Sequence, residues 1–364
     1  MEWPRETDQA YPELFTKPPP QPIEKKQGQL TYKQLEQFFS EGYLIVDNFF
    51  DIEKDLEPCK KAIEKEVDYC ANILYENGKV KNKYEDRGLF ERLTCLGKEY
   101  PGANLVARKL RNLPQALRLL WTNEKLLNVV EQIVGPDIQG HPVWALRTKT
   151  PQNEATTVPW HQDSAFLDND SYKVLQLTAW IPFLDATEEN GCMQVVRRAH
   201  RKGKVATHQC CAGNTWYVIL EEEEIERTLG ANMKKDVVTC PVPYGGMLLF
   251  SNLLPHQSLL NQSDKIRWSV DFRWQTSKEK VGFWGLKPGV QMRMSNKPDF
   301  TIDWSEFDAI NRYNVMAQHE NENYLETVVT GPWMKKWELI HHNHHVNALL
   351  KQNEQDSYDN IVNP

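Results

Sequence analysis

The chain of 364 residues predicts a mainly β fold with a helical N-terminal part. Three features lead there. As far as Val134, apolar residues recur at the spacing of one helix face. From His141 onward the runs become short, alternating or continuously apolar. Gly, Pro, Asn and Asp divide them about every ten residues, the pattern of a β-sandwich or barrel. Within that part, Ile266-Arg267-Trp268-Ser269-Val270-Asp271-Phe272-Arg273-Trp274 alternates polar and apolar residues without a break, as only a strand does.

Taken in order, residues 1–30 contain Lys17-Pro18-Pro19-Pro20-Gln21-Pro22, which cannot hydrogen-bond regularly, and read as an extended arm or a polyproline ligand. Thr31 with Gln34 three residues on forms a capping box ahead of Leu35, Phe38 and Phe39, and Gly42 stops that helix. Tyr43-Leu44-Ile45-Val46 reads as a short buried strand. From Ile52 to Leu74, the residues Leu56, Ile63, Val67 and Cys70 line one face of an amphipathic helix, and the charged, aperiodic stretch 79–87 reads as a surface loop. Two further helical patterns lie between Asn112 and Val134, ended by Gly135-Pro136. Expected strands are 143–149, 157–161, 175–183, 194–197, 236–242, 246–250 and 266–275. An interruption between Gly203 and Lys235 holds Glu221-Glu222-Glu223-Glu224, which reads as a solvated helix start or as an acidic patch. It also holds residues 214–219, a candidate lid over the barrel mouth. The expectation is one domain over 31–330, with helical support at 31–136, a β core at 141–275 and an additional segment at 276–330. A C-terminal helix and tail would follow at 331–364.

A hydrophobic content of 40% suffices for a large core. No apolar run approaches the roughly 20 residues that cross a bilayer. The net charge of −7 disfavours nucleic acid as a partner, because neutralising phosphates needs a basic footprint. Seven cysteines without a spacing pattern indicate a reducing compartment. Met1-Glu2-Trp3-Pro4-Arg5-Glu6 lacks the basic and then apolar opening of a secretory leader, and Ile361-Val362-Asn363-Pro364 is no peroxisomal address. A cytoplasmic protein without membrane partners is the expectation.

The chemistry centres on Trp160-His161-Gln162-Asp163. In an extended segment His161 and Asp163 share a face and offer an imidazole and a carboxylate to one point. The third ligand must come from afar. His256 follows an apolar run that reads as a buried strand ending in a polar turn. Two imidazoles and a carboxylate with open positions opposite suit non-heme Fe(II). Three ligands and a water also describe catalytic zinc, so a hydrolase of cupin-like shape stays open, as does a metal-binding scaffold without activity.

His161-Gln162-Asp163, Thr178-Ala179-Trp180-Ile181-Pro182-Phe183, Glu189-Asn190-Gly191-Cys192-Met193, Pro255-His256-Gln257-Ser258 and Arg267 follow one another at intervals that resemble the phytanoyl-CoA dioxygenase (PhyH) family of Fe(II)/2-oxoglutarate oxygenases, over roughly residues 30–275. That resemblance implies a double-stranded β-helix, the jelly-roll or cupin-like barrel, flanked by helices. It implies Fe(II) on His161, Asp163 and His256, with 2-oxoglutarate and O₂ as co-substrates, and hydroxylation of a small molecule with release of succinate and CO₂. Arg267 would clamp the distal carboxylate of 2-oxoglutarate with a fixed fork that a lysine cannot match, and Ser258 would add a hydroxyl bond. Arg273, on the same strand face, is the rival for that role. Gln162 and Trp180 match positions that line the co-substrate pocket; alternatively Gln162 braces its loop and Trp180 packs in the core. Arg197-Arg198-Ala199-His200 departs from the family's Pro-Gly-Ser-His turn, whose histidine shapes a loop and is no metal ligand.

Arg197 could therefore face an anionic substrate group. Arg147 and Lys149, two apart on an expected strand, share a face that would add positive charge if it lined the barrel. The expected substrate is a small anionic metabolite, with an acyl-CoA or a quaternary ammonium compound as alternatives. The same side chains read equally as wet surface groups, or one of them as a further hold on the co-substrate. His341-His342-Asn343-His344-His345 resembles a metal tract, but on a helix begun near Trp333 only two of its imidazoles share a face. Because the ligands are expected at a barrel mouth, substituting them should spare the fold.

Overall fold

The structure is a computed structural model, and it describes residues 9–108, 113–168, 170–210, 217–283 and 285–310. Helices α1 (Pro12–Thr16), α2 (Tyr32–Glu41), α3 (Glu57–Glu76), α4 (Arg92–Glu99), α5 (Ala103–Arg108), α6 (Gln115–Trp121) and α7 (Glu124–Val134) come first, with strand β1 (Tyr43–Val46) among them. The β part follows with β2 (Ile138–Gly140), β3 (Ala145–Lys149), β4 (Leu177–Pro182), β5 (Met193–Val196), β6 (Gln209–Cys210) and β7 (Val218–Ile219). After helices α8 (Glu222–Leu229) and α9 (Met233–Asp236) it resumes with β8 (Val237–Cys240), β9 (Met247–Ser251), β10 (His256–Ser258), β11 (Arg267–Thr276) and β12 (Val290–Arg293), and α10 (Ser305–Ala309) comes last.

One antiparallel sheet has the order β1-β9-β4-β11-β2-β12, with β3 also paired to β11; a second has the order β10-β5-β8. Side chains from both sheets meet between them, Trp180, Leu248 and Phe250 from one and Met193, Val195 and Cys240 from the other. The two sheets therefore close into the expected jelly-roll barrel. The helices cover the outer face of the larger sheet.

Strand β11 sets this arrangement through its alternation. Trp268, Val270, Phe272 and Trp274 enter the core shared with the helices, where Phe272 stacks on Trp121 of α6 at 5.5 Å between ring centroids. Arg267, Ser269, Asp271, Arg273 and Gln275 are equally buried, on the opposite face inside the barrel. The polar half of the pattern thus points inward. Burying each large apolar side chain of the other half contributes roughly 1.5–3 kcal/mol.

Thr31 and Gln34 form the expected capping box on α2, and Gly42 ends it at φ 89°. A Cβ at Gly42 would sit 2.4 Å from His200 Nδ1, so only glycine lets the helix end reach this turn. His200 Nε2 donates to Phe39 O at 3.0 Å, and the histidine shapes the loop. Glu222, Glu223 and Glu224 occupy the first turn of α8, the helix-start reading of the acidic run.

Several expectations shift. The arm is not wholly extended: α1 forms in it and seats Phe15 against Tyr172 and Leu253, while Tyr11 N donates to Gly203 O at 2.9 Å. Helices α4 and α5 lie where no helix was expected. Val143 stays out of β3 because its N–H turns to His141 Nδ1 at 3.2 Å. His256 opens strand β10 and is not part of the turn after β9. The candidate lid residues 214–216, the C-terminal helix at 331–364 and the cluster at His341–His345 lie outside the described residues. Among the described residues no helix is long and apolar enough to cross a membrane.

Phe272→Ala should lower stability by about 3–5 kcal/mol, since a fully buried ring is lost from a packed stack. Equilibrium urea denaturation measures it, and a loss under about 1 kcal/mol would contradict the packing described.

Candidate metal centre

His161 and His256 are positioned by their backbones. Each donates its N–H to the other's carbonyl, at 3.1 and 3.0 Å, so the two residues form an antiparallel bridge beside β10. Their rings follow, with centroids 4.1 Å apart. His161 Nδ1 donates to Pro159 O at 2.8 Å and His256 Nδ1 to Leu254 O at 2.9 Å. Each bond fixes the tautomer that leaves Nε2 as an electron-pair donor facing the site. Burial, and then the neighbouring His161, push the His256 imidazole down to about 3, so it stays neutral at ordinary pH.

Gln162 is extended, as expected, and Asp163 then opens a 3₁₀ turn. Asp163 Oδ1 lies 3.7 Å from His161 Nε2 and 3.8 Å from His256 Nε2. One ligand atom from each of the three residues falls within 4.8 Å of the others, a set able to hold one divalent cation. The carboxylate is held from behind. Arg273 of β11 donates Nε to Oδ2 at 2.9 Å and Nη2 to Oδ1 at 3.0 Å, and Thr178 Oγ1 donates to Oδ2 at 3.1 Å. Burial alone would raise this carboxyl's pKa. The Arg273 charge and the two imidazoles overcome burial and hold it well below the usual carboxylate range.

A cavity adjoins the cluster and is lined by His161, His256, Trp180, Ser258 and Arg267. Arg267 is 2% exposed. Its Nη1 donates to Ser269 Oγ at 2.7 Å, Trp180 lies against the guanidinium at 5.0 Å, and Nε has no hydrogen-bond partner among the described residues. Burial pulls the guanidinium down to about 10, with Asp271 opposing and Arg147 adding, so it keeps its charge at neutral pH. A buried cation with a spare donor fits the carboxylate of a ligand. Ser258 Oγ accepts Val158 N at 3.0 Å, which leaves its hydrogen to donate beside Arg267.

Arg147, Lys149 and Asp271 line the same cavity, so the strand face of β3 that reads equally well as wet surface is inside. Arg147 is tied to Asp271 Oδ2 by Nε at 2.8 Å and Nη2 at 2.6 Å, and Asp271 Oδ1 has no hydrogen-bond partner among the described residues. Three expectations change. Gln162 is not a lining residue; its amide bonds Lys204 O, Leu253 O and Ala206 N and braces the loop. Arg197 turns to Asp236 and Lys235 O, outside the lining residues. Arg273, committed to Asp163, is withdrawn as the rival of Arg267. Thr178 and Asp271 were missed, although the alternation of β4 and β11 places both on inward faces.

A family model described as Phytanoyl-CoA dioxygenase (PhyH) matches residues 38–269. Two relatives named 1-deoxypentalenic acid 11-beta-hydroxylase, from Streptomyces arenae and Streptomyces exfoliatus, are 26% and 27% identical over 182 and 186 residues. Each match covers 46% of this chain and 60% of the relative, so the chain spans about 60% of the length of the relatives it matches. Among solved structures, EctD from S. alaskensis with 2-oxoglutarate and 5-hydroxyectoine superposes with a TM-score of 0.50 at 14% identity, over 82% of this chain and 89% of that one. At that identity the likeness concerns the fold.

The ligands are buried, not poised at an open mouth, which changes what their removal should do. His161→Ala and His256→Ala should lose Fe(II) or Co(II) binding with the fold intact. Asp163→Ala should also strand the buried Arg273 charge and cost about 3–5 kcal/mol of stability. Metal titration with thermal melts separates the two effects; tight metal binding in all three variants would dismiss the centre.

Proposed function

Because this chain belongs to the phytanoyl-CoA dioxygenase (PhyH) family, we propose that it is an Fe(II)- and 2-oxoglutarate-dependent oxygenase that hydroxylates a small molecule at an unactivated C–H bond. The observation that carries this reading is Arg267: a charged, buried guanidinium with an unpartnered Nε, in one cavity with the two histidines. A zinc hydrolase or an inert scaffold has no use for it. When bound, Fe(II) supplies open positions for the 2-oxo acid and for O₂, and the oxidative decarboxylation of 2-oxoglutarate to succinate and CO₂ drives the hydroxylation. Nε2 of His161, Nε2 of His256 and the Asp163 carboxylate would hold the metal. Arg267 and the Ser258 hydroxyl take the distal carboxylate of 2-oxoglutarate, and the Trp180 ring covers the guanidinium on one side.

The substrate proposed is a small molecule carrying an anionic group. Two observations support it. Arg147, though paired with Asp271, stands on the cavity wall with 21% of its side chain exposed and presents a second guanidinium there beyond Arg267. The relatives' name states an acid as the compound hydroxylated. Arg197 plays no part in this reading.

Arg267→Lys should raise the KM for 2-oxoglutarate about 10- to 100-fold, since a point charge replaces a fork and a charge-assisted bond worth roughly 1.5–3 kcal/mol is lost. An unchanged KM would remove Arg267 from the site. Succinate release should be stimulated by small carboxylic acids more than by acyl-CoAs or quaternary ammonium solutes. Arg147→Ala should reduce that stimulation and Arg197→Ala should leave it alone. Stimulation by cations only would move substrate recognition to Asp271, whose Oδ1 is free.

A further inference from the structure

Lys149, the last residue of β3, is 1% exposed and lines the cavity beside Arg267, its register partner on β11. Its Nζ donates to Thr156 O at 3.1 Å and to Thr157 Oγ1 at 3.4 Å. Among the described residues no carboxylate lies within ion-pairing distance. The other cations of the barrel interior are matched: Arg273 by Asp163, and Arg147 by Asp271. Among the described residues, Lys149 and Arg267 are left without an ion-pair partner. The turn before β5 keeps the amine in place. Gly191 stands at φ 83°, and a Cβ there would meet Lys149 Cδ at 2.7 Å and Leu259 O at 2.5 Å. The lysine stem therefore packs directly against this turn.

Among the described residues, three charged or titratable groups face the amine. From β11 comes the Arg267 guanidinium, from β3 Arg147, and from the turn before β5 the Cys192 thiol, itself held protonated by burial. The segment holding Thr156 and Thr157 offers only a carbonyl and a hydroxyl. Burial first, then Arg267 and Arg147, push Lys149 down to about 6, so at neutral pH the amine is mostly uncharged while no anion is bound. A carboxylate arriving at Arg267 brings the missing negative charge to both side chains.

We propose that Lys149 is a second recognition group for the anionic tail of the dicarboxylate co-substrate, taking up one proton from solution when that tail binds beside Arg267 and returning it when the tail leaves. The inference rests on the oxygenase reading and deepens it. Co-substrate binding thereby becomes proton-coupled. Below a pH of about 6 the amine is already charged and affinity is flat; above it, each pH unit should weaken binding about tenfold until the bound lysine itself loses its proton.

The test is anaerobic calorimetry of the Fe(II)-loaded protein titrated with 2-oxoglutarate at pH 7.5, in two buffers of different ionisation enthalpy, with Kd followed from pH 6 to 9. Uptake approaching one proton per 2-oxoglutarate is expected, along with that pH slope. Lys149→Met and Lys149→Gln should bind more weakly, without uptake and without the slope. The wild-type proton count stands even if one variant folds poorly. Binding without uptake, or uptake that persists in the variants, overturns this inference alone. A wild-type protein that binds Fe(II) but no 2-oxoglutarate overturns the oxygenase reading together with it.

Discussion

A carboxylate and a guanidinium, Asp163 and Arg273, meet edge to edge inside the barrel, and much of the architecture follows from burying that pair. Removing two charges from water costs several kcal/mol per ion, recovered only where geometry and additional hydrogen bonds are good. Thr178 supplies one such bond to Asp163. Arg273 Nη1 reaches Val143 O at 3.3 Å, and the Arg273 backbone carbonyl accepts His141 N at 2.8 Å. The stability that tolerates this polar interior lies on the other side of the sheet, where Trp121, Trp268, Phe272 and Trp274 are buried against the helices.

This division explains which parts of the molecule were legible in the sequence. The alternation of β11 identified the strand and the residues sharing a face. Periodicity does not say which face is wet, and in a barrel covered by helices neither is. Arg147 and Lys149 were ambiguous for that reason. Arg267 and Arg273 share parity, so alternation alone left Arg273 as the rival of Arg267, and the bonds of Arg273 to Asp163 decide between them. Strand β10 has three residues, too few for a periodic signal, so His256 read as turn. Helix α4 escaped because a single turn of apolar residues, Leu93 and Leu96, carries its buried face along with the stem of Arg92.

The departure at Arg197-Arg198 has a structural role unlike the one expected of it. Arg198 sits at φ 69°, in the left-handed region where a non-glycine residue costs roughly 1–2 kcal/mol. Its N–H donates to Glu41 O at 2.8 Å and its Nε to the Glu41 carboxylate at 2.9 Å. That bond to the end of α2 lies next to the seat of Gly42 against His200, so the turn joins α2 to the barrel. A glycine here would take the same backbone shape and keep the N–H bond, but not the side-chain tie to the Glu41 carboxylate.

The paired backbones of His161 and His256 have one more consequence. Two ligands from distant parts of the chain are held by reciprocal peptide hydrogen bonds, so their separation is a ladder spacing, a constant of peptide geometry that no side chain has to specify. The bite of the centre is inherited from the pleat. Residues around the cavity can therefore diversify toward new substrates without retuning the metal, and the two imidazoles come into range only when the strands have zipped, which makes metal affinity a reporter of barrel closure.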